Sequence, residues 1–353
     1  MKTILVTATD ESTGKTAITI ALGRHAKERG LSVGYMKPKG TRLQSRVGKT
    51  LDQDPLLARE LLDTGSEMHE MEPIVYSPTF VEGAMEGRER PDELHDRVRE
   101  SFDAVAEGRD LMLLEGGGRL WTGGIVDLTD PDVAELLDAD VVLVAEYERP
   151  ADVDDILAAA EYVGDRLAGV LFNRVADAVY DTVESELVPF LESRGVPVLG
   201  VLPREADLAG VTVADLADEL GADVLTDAET DDLVERFLVG AMSADEALRF
   251  FRRTKSAAVV TGGDRADIQT AALEAPGVKC LVLTGGHRPS ATVIGKAEER
   301  GMPVLLVTGD TLTTIERAEE VIRGGRTRDA HTVDVMYRLL SEHADVESLL
   351  DVD

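Results

Sequence analysis

Cysteine is almost absent from this 353-residue chain, and the single Cys280 excludes an intramolecular disulfide. Its setting, Val278-Lys279-Cys280-Leu281-Val282-Leu283, reads as a buried strand position rather than a reactive thiol. Aromatic residues make up 4% of the sequence against 43% hydrophobic residues, so a core built mainly from Val, Leu, Ile and Ala is expected, as in parallel α/β sheets. No apolar run reaches the length of a bilayer span, and the amino terminus enters a strand-like run with no basic segment or cleavage site before it. A soluble, cytoplasmic protein is expected. Positive charge is scarce as well: 37 Lys and Arg, only 9 of them Lys, stand against 68 Asp and Glu, for a net charge of −31. With no basic stripe to neutralise phosphates, neither nucleic acid nor an anionic membrane is expected as a partner. The acids are spread along the whole chain rather than gathered in a tail. Such self-repulsion is tolerable where molar salt shortens the Debye length to about 3 Å, so the composition reads as that of a salt-loving cytoplasm.

What the chain does have is alternation. Short apolar runs at 3–8, 32–36, 110–115, 140–146, 167–173 and 196–201 are separated by amphipathic stretches at 15–29, 92–107, 150–164 and 180–194. Strands apolar on both faces and separated by helices imply right-handed βαβ units and a buried parallel sheet. The pattern breaks in the polar cluster Thr226-Asp227-Ala228-Glu229-Thr230-Asp231-Asp232 and then restarts, which suggests domains at 1–222 and 223–353. Strands at 257–261, 278–284 and 303–308 alternate with helices at 243–254, 264–275, 289–301 and 311–323. Two of these strands end alike, in Thr261-Gly262-Gly263-Asp264-Arg265 and Thr284-Gly285-Gly286-His287-Arg288. A second, smaller open α/β domain is therefore expected, with Gly262, Gly263, Asp264, Gly285 and Gly286 as ligand candidates at the sheet's carboxyl edge. Asp264 equally suits a helix N-cap.

The loop Ala8-Thr9-Asp10-Glu11-Ser12-Thr13-Gly14-Lys15-Thr16 follows the first strand and opens a helix. Gly14 permits the turn and a close backbone approach, loop and helix N–H groups point at phosphate oxygens, Lys15 adds charge, and the Thr16 hydroxyl suits Mg²⁺. The strict P-loop pattern has glycine where Thr9 stands. Glu115 ends the run Leu111-Met112-Leu113-Leu114 and precedes three glycines, as a metal-site acid at the tip of a buried strand would; Asp10 is a second Mg²⁺ candidate. Lys37, in Gly34-Tyr35-Met36-Lys37-Pro38-Lys39-Gly40, suits a γ-phosphate or an anionic substrate.

Residues 1–215 resemble dethiobiotin synthetase, and more closely the dethiobiotin-synthetase-like amino-terminal domain of some phosphotransacetylases. The marks are ATDESTGKT, GYMKP, LLEGGG, GVLFNRV and GVLPRE. The resemblance implies ATP and Mg²⁺ as cofactors. It assigns nucleotide contacts to Thr9, Glu11, Ser12, Thr13, Gly14, Lys15, Thr16, Ala17, Asn173, Pro203 and Arg204, with Asn173 reading adenine. It further implies Mg²⁺ at Thr16, Asp10 and Glu115, catalytic roles for Lys15 and Lys37 with Lys37 holding a carboxylate or carbamate acceptor, and a homodimer. Departures are Ala8 in place of the first loop glycine, the segment Gly117–Gly124 without its proline turn, and Tyr76-Ser77-Pro78-Thr79-Phe80. Residues 233–340 resemble the DRTGG domain, generally regarded as regulatory, through VVTGGDRADIQ, CLVLTGG and PVLLVTGDTLTT. The phosphotransacetylase catalytic domain that often follows has no counterpart in residues 1–353. Three functions stay open: a nucleotide-responsive regulator tied to an acetate-metabolism enzyme, possessing ATPase activity or none; an ATP-dependent ligase acting on a small carboxylate or carbamate; and a scaffold without turnover. The altered substrate segments and the attached TGG domain lean toward the regulator.

Overall fold

The computed structural model describes residues 1–353 except 42, 47, 48, 206, 207, 209, 325–329, 352 and 353. The chain forms two compact units, Met1–Arg204 with Thr327–Asp353, and Glu205–Arg326. The sequence pattern suggested a single cut between 222 and 223. Two features move the division: Leu216 and Leu220 pack beneath the second unit's sheet, and the carboxyl-terminal helix returns to the first unit.

In the first unit, six strands run parallel: β1 (Lys2–Ala8), β2 (Val33–Met36), β3 (Leu111–Glu115), β4 (Asp140–Ala145), β5 (Leu167–Val175) and β6 (Val198–Pro203). Their order is β6-β5-β4-β1-β3-β2, every neighbouring pair parallel. The expected parallel α/β sheet is thus what the chain forms. One face carries Leu5, Met112, Leu114, Leu143 and Phe172 against Val98, Val133 and Ile156 of the covering helices. Burying each such side chain contributes about 1.5–3 kcal/mol, which is why strands without polar alternation settle in the middle of two layers.

Helix α1 (Lys15–Glu28) is buried almost all round, with Ile18, Ile20, Leu22 and Ala26 fully enclosed. A helix apolar on every side needs cover on every side. Leu113 of the sheet lies under Gly23, and helix α2 (Ala330–His343) supplies the other cover. There the His25 and Tyr337 rings stack at 3.9 Å, and Tyr337 donates to Glu28 at 2.5 Å.

The stretch expected as one helix over 180–194 is in fact Asp177–Thr182, a π turn at Val183–Leu187, and Val188–Ser193. Pro189 has no N–H to give to the carbonyl four residues back, and the wider turn precedes it.

In the second unit, β8 (Arg236–Val239), β9 (Ala257–Gly262), β10 (Val278–Thr284) and β11 (Val304–Leu306) are parallel, and β7 (Asp223–Val224) pairs antiparallel with β11. Alternate residues feed two layers: Val259, Leu281 and Leu283 on one side, Val260, Cys280 and Val282 on the other. Cys280 is fully enclosed, and burial pushes its thiol up to about 12, which fits an inert strand residue.

Candidate functional site

β1 lies between β3 and β4, and the chain builds the sheet on one side of it through β2 and β3 before crossing to the other side at β4. Loops leaving the carboxyl ends of these three strands therefore splay apart and leave a crevice, the usual ligand position in open α/β sheets. The register pairs Val6 with Glu115 and Ala8 with Val144, so the loop after β1, the acid ending β3 and the turn after β4 share one edge.

The loop after β1 turns through Gly14, at φ +94°, which caps α1. A side chain there would be strained, and its Cβ would lie 2.6 Å from Nδ2 of Asn173. Asn173, at the end of β5, donates from that Nδ2 to the Thr13 carbonyl at 2.8 Å and accepts from the Arg174 N–H at 3.0 Å. Both ends of its amide thus hold the loop and its own turn. The Thr13 hydroxyl is buried beside them with no partner, inside the loop that would cradle phosphate. Lys15 is buried and its ammonium donates to the Gly118 carbonyl at 2.6 Å. Ala17 is buried in the first helical turn, Glu11 is exposed, and Thr9 and Ser12 are half-buried. Pro203 is half-buried at the end of β6, and the exposed Arg204 donates its N–H to the Val175 carbonyl at 2.9 Å.

Thr16 and Glu115 meet directly: the hydroxyl donates to Oε1 at 2.7 Å, and the Tyr35 hydroxyl donates to Oε2 at 2.6 Å. Lys37 joins them, its ammonium 2.8 Å from Asp52, 2.5 Å from Asp54 and 3.4 Å from Glu115, with 2% of its side chain exposed. Asp52 and Asp54 escaped the sequence reading. In a chain with 68 acids two more carry no signal; the usable cue was their place at the start of the helix Gln53–Leu62, where Asp52 is the cap. Burial acts to lower the Lys37 ammonium's affinity for its proton, but Asp54, Glu115 and Asp52 overcome it and hold the pKa above the ordinary lysine range. Burial pushes the Glu115 carboxyl upward against the pull of Lys37.

Asp10 touches the same loop lysine through its backbone, its carbonyl accepting from the Lys15 ammonium at 3.4 Å. It is exposed on the loop, where it accepts from Arg119 Nε at 2.9 Å. The structure therefore gathers Thr16, Glu115 and Lys37, with Lys15 at the same loop, and pairs the Asp10 carboxylate with Arg119. Among the described residues no three acids, histidines or cysteines form a ready-made metal cage. Mg²⁺ does not require one, since it is usually held by one or two carboxylates with substrate phosphates and water. The Thr16 hydroxyl beside the Glu115 carboxylate, with Asp54 on the same ammonium, is an oxygen donor set that fits this ion.

A second polar cluster supports the loop after β3. Thr7 donates to Asp130 at 2.5 Å, and Lys39 lies 2.9 Å from the other oxygen of that carboxylate, all three buried. In the second unit the glycine turns pack on one another. The Gly285 N–H donates to Gly309 at 2.8 Å, the Gly286 N–H to Val307 at 3.0 Å, and a Cβ at Gly263 would strike the His287 carbonyl. Gln269, fully buried, donates to the Gly262 carbonyl at 2.9 Å. Asp264 is exposed and Arg265, not Asp264, occupies the N-cap of the following helix, without a side-chain cap.

Fold and site together define an α/β protein of the P-loop NTPase type with a second α/β unit. The chain belongs to the AAA domain family (AAA_26), which it matches over residues 2–212, and residues 215–321 match the DRTGG domain. The phosphate acetyltransferase of Pseudomonas putida is 26% identical over 98% of this chain and 51% of its own length; that of Haemophilus influenzae is 23% identical over 97% and 51%. The chain thus spans about half the length of these relatives. The ATP-dependent dethiobiotin synthetase BioD of Methanocaldococcus jannaschii is 26% identical over 58% of this chain and 95% of its own. Among solved structures, MinD of Aquifex aeolicus is 16% identical with a TM-score of 0.36, covering 59% of this chain and 84% of its own. The CBS and DRTGG domains of Clostridium perfringens pyrophosphatase, complexed with the activator diadenosine tetraphosphate, give 18% and 0.29, covering 47% and 84%.

Proposed function

We propose that the first unit binds a nucleoside triphosphate, ATP, with Mg²⁺, and that the protein is a nucleotide-responsive regulator tied to acetate metabolism. The observation that carries the reading is the Thr16–Glu115 hydrogen bond at the head of the P-loop helix, with Asp54 adjacent and the Lys15 ammonium at the same loop. Thr16, Glu115 and Asp54 would hold Mg²⁺, which when bound neutralises phosphate charge. Gly14 and the first turn of α1 give the phosphates their N–H groups, and Thr13 offers a hydroxyl without another partner. The TGG-bearing second unit is the site for a second ligand or for docking. The ligase alternative asks Lys37 to hold a carboxylate or carbamate; an ammonium buried among three carboxylates is poorly placed for that, and this favours the regulator. The likeness to phosphate acetyltransferases supports the tie to acetate metabolism.

The test is Mg²⁺-dependent ATP binding and hydrolysis in molar KCl, for the native protein and Lys15→Ala. Binding that is lost in the variant, with little turnover on adding small carboxylates, supports the regulator. Turnover stimulated by a small carboxylate or amine moves the reading to the ligase. Absence of nucleotide binding by the folded native protein removes both.

A further inference from the structure

The loop after β3 sits on the phosphate loop through fixed backbone. The Gly116 N–H donates to Val6 at 2.9 Å, the Leu120 N–H to Ala8 at 3.0 Å, and Leu120 is fully buried. Arg119 lies between these anchors. Gly118, at φ +79°, makes the turn that presents it; a Cβ there would lie 2.9 Å from the Thr122 hydroxyl, which itself accepts from the Arg119 N–H at 3.1 Å. The Arg119 side chain, about half exposed, gives both Nε and Nη2 to one oxygen of Asp10, at 2.9 and 2.8 Å. Its neighbour Gly118 accepts the Lys15 ammonium. Lys15 and Arg119 thus both reach Asp10, the lysine at its carbonyl at 3.4 Å and the arginine at its carboxylate, and the lysine also binds the residue next to Arg119.

Charge and magnitude decide what happens when phosphate arrives. Lys37 and Lys39 are enclosed by Asp52, Asp54, Glu115 and Asp130. A solvent-exposed ion pair such as Arg119–Asp10 contributes little, whereas a guanidinium on phosphate forms paired charge-assisted hydrogen bonds. We propose that Arg119 exchanges Asp10 for the terminal phosphate of a bound nucleoside triphosphate and so makes the site distinguish tri- from diphosphate. This rests on the nucleotide reading given above. Release of the Lys15 ammonium from Gly118 to the same phosphates frees the backbone beside Arg119, so both contacts of the loop respond to one event. The diphosphate, lacking the terminal group, leaves the Arg119–Asp10 pair in place.

The experiment measures ATP and ADP binding with Mg²⁺ at one fixed KCl concentration, for the full chain and for Arg119→Gln and Arg119→Lys. Arg119→Gln is expected to weaken ATP about tenfold or more while ADP stays within about twofold, the loss of paired charge-assisted contacts to one phosphate. Arg119→Lys recovers part of the ATP affinity, because it restores charge but not the fork. An unchanged ATP-to-ADP ratio in Arg119→Gln overturns the inference while its retained binding leaves the nucleotide reading intact. Equal weakening of both nucleotides also overturns it, by showing that Arg119 only supports the loop. If the native chain binds neither nucleotide, the nucleotide reading fails and the inference with it.

Discussion

Lys37 shows how unequal the sequence's information is at the residue scale. Its position after β2, in a chain with few lysines, marked it for attention, yet its neighbours Asp52 and Asp54 did not stand out. Whether an aspartate is solvated or enclosed depends on the tertiary path that brings residues 52 and 54 beside residue 37, which no local pattern records. The structure gives Lys37 a first duty that the resemblance did not imply, the neutralisation of three buried carboxylates. Removing one partner of a buried charge cluster usually costs about 3–5 kcal/mol, because the remaining charges are left uncompensated. Lys37→Met is therefore expected to lower stability to denaturant by that order at pH 8. Its deficit shrinks in acid, since Glu115, whose carboxyl burial already pushes up, takes up a proton when the ammonium is gone. For the native lysine the raised pKa adds stability that is complete below the unfolded value and is lost only as pH rises through the folded one. Native Lys37 therefore contributes no pH dependence between 5 and 8, where the variant acquires one. Unfolding curves of the two proteins at pH 5 and 8 check it; an equal deficit at both values counts against the charge argument.

At the scale of elements, the strands of both sheets were legible because a strand buried on both faces writes itself as an uninterrupted apolar run. Arg236–Val239 was not, since this outer strand is only partly buried and its residues read as polar and apolar in turn. The helix Ala330–His343 was not singled out in the sequence, and neither was its pairing with α1, about three hundred residues earlier. That packing has a titratable centre. His25 Nε2 lies 3.1 Å from the Tyr337 carbonyl and 3.4 Å from the Ser341 hydroxyl, and burial lowers its pKa below the ordinary histidine value. Charged groups face it from both helices: Glu28, Arg24 and Arg29 from α1, and Asp334 on Arg24 from α2. A lowered folded pKa means that the unfolded segment binds the proton better, so this contribution is present above about pH 6.5 and fades as pH falls below it. Hydrogen exchange of residues 330–343 is expected to quicken between pH 8 and pH 5.5 after correction for intrinsic rates, and His25→Gln is expected to flatten that change. Protection that is the same at both values in the native protein would place the docking energy in the aromatic stack and apolar contacts alone.

For the whole molecule, the dominant quantity is the net charge of −31. The described ion pairs do little against it: apart from the enclosed Lys37 and Lys39 sets, most join side chains a third or more exposed, worth about 0–1 kcal/mol each. Two cores of small aliphatic side chains must therefore hold against a repulsion that acts across each unit. Screening is the available relief, because the Debye length falls from about 10 Å at 0.1 M to about 3 Å at 1 M salt. The unfolding temperature is expected to rise by the order of 10 °C between 0.1 and 2 M KCl, equivalent to a few kcal/mol for units of this size. The shape of the rise matters more than its size. Screening acts mostly below 1 M, where the Debye length shrinks fastest, whereas strengthened burial by excluded salts continues to grow with concentration. A curve that climbs early and levels off assigns the stabilisation to charge. A straight climb to the highest salt assigns it to the apolar cores, and a flat curve shows that the acids are far enough apart in the fold for their repulsion to be negligible even in dilute buffer.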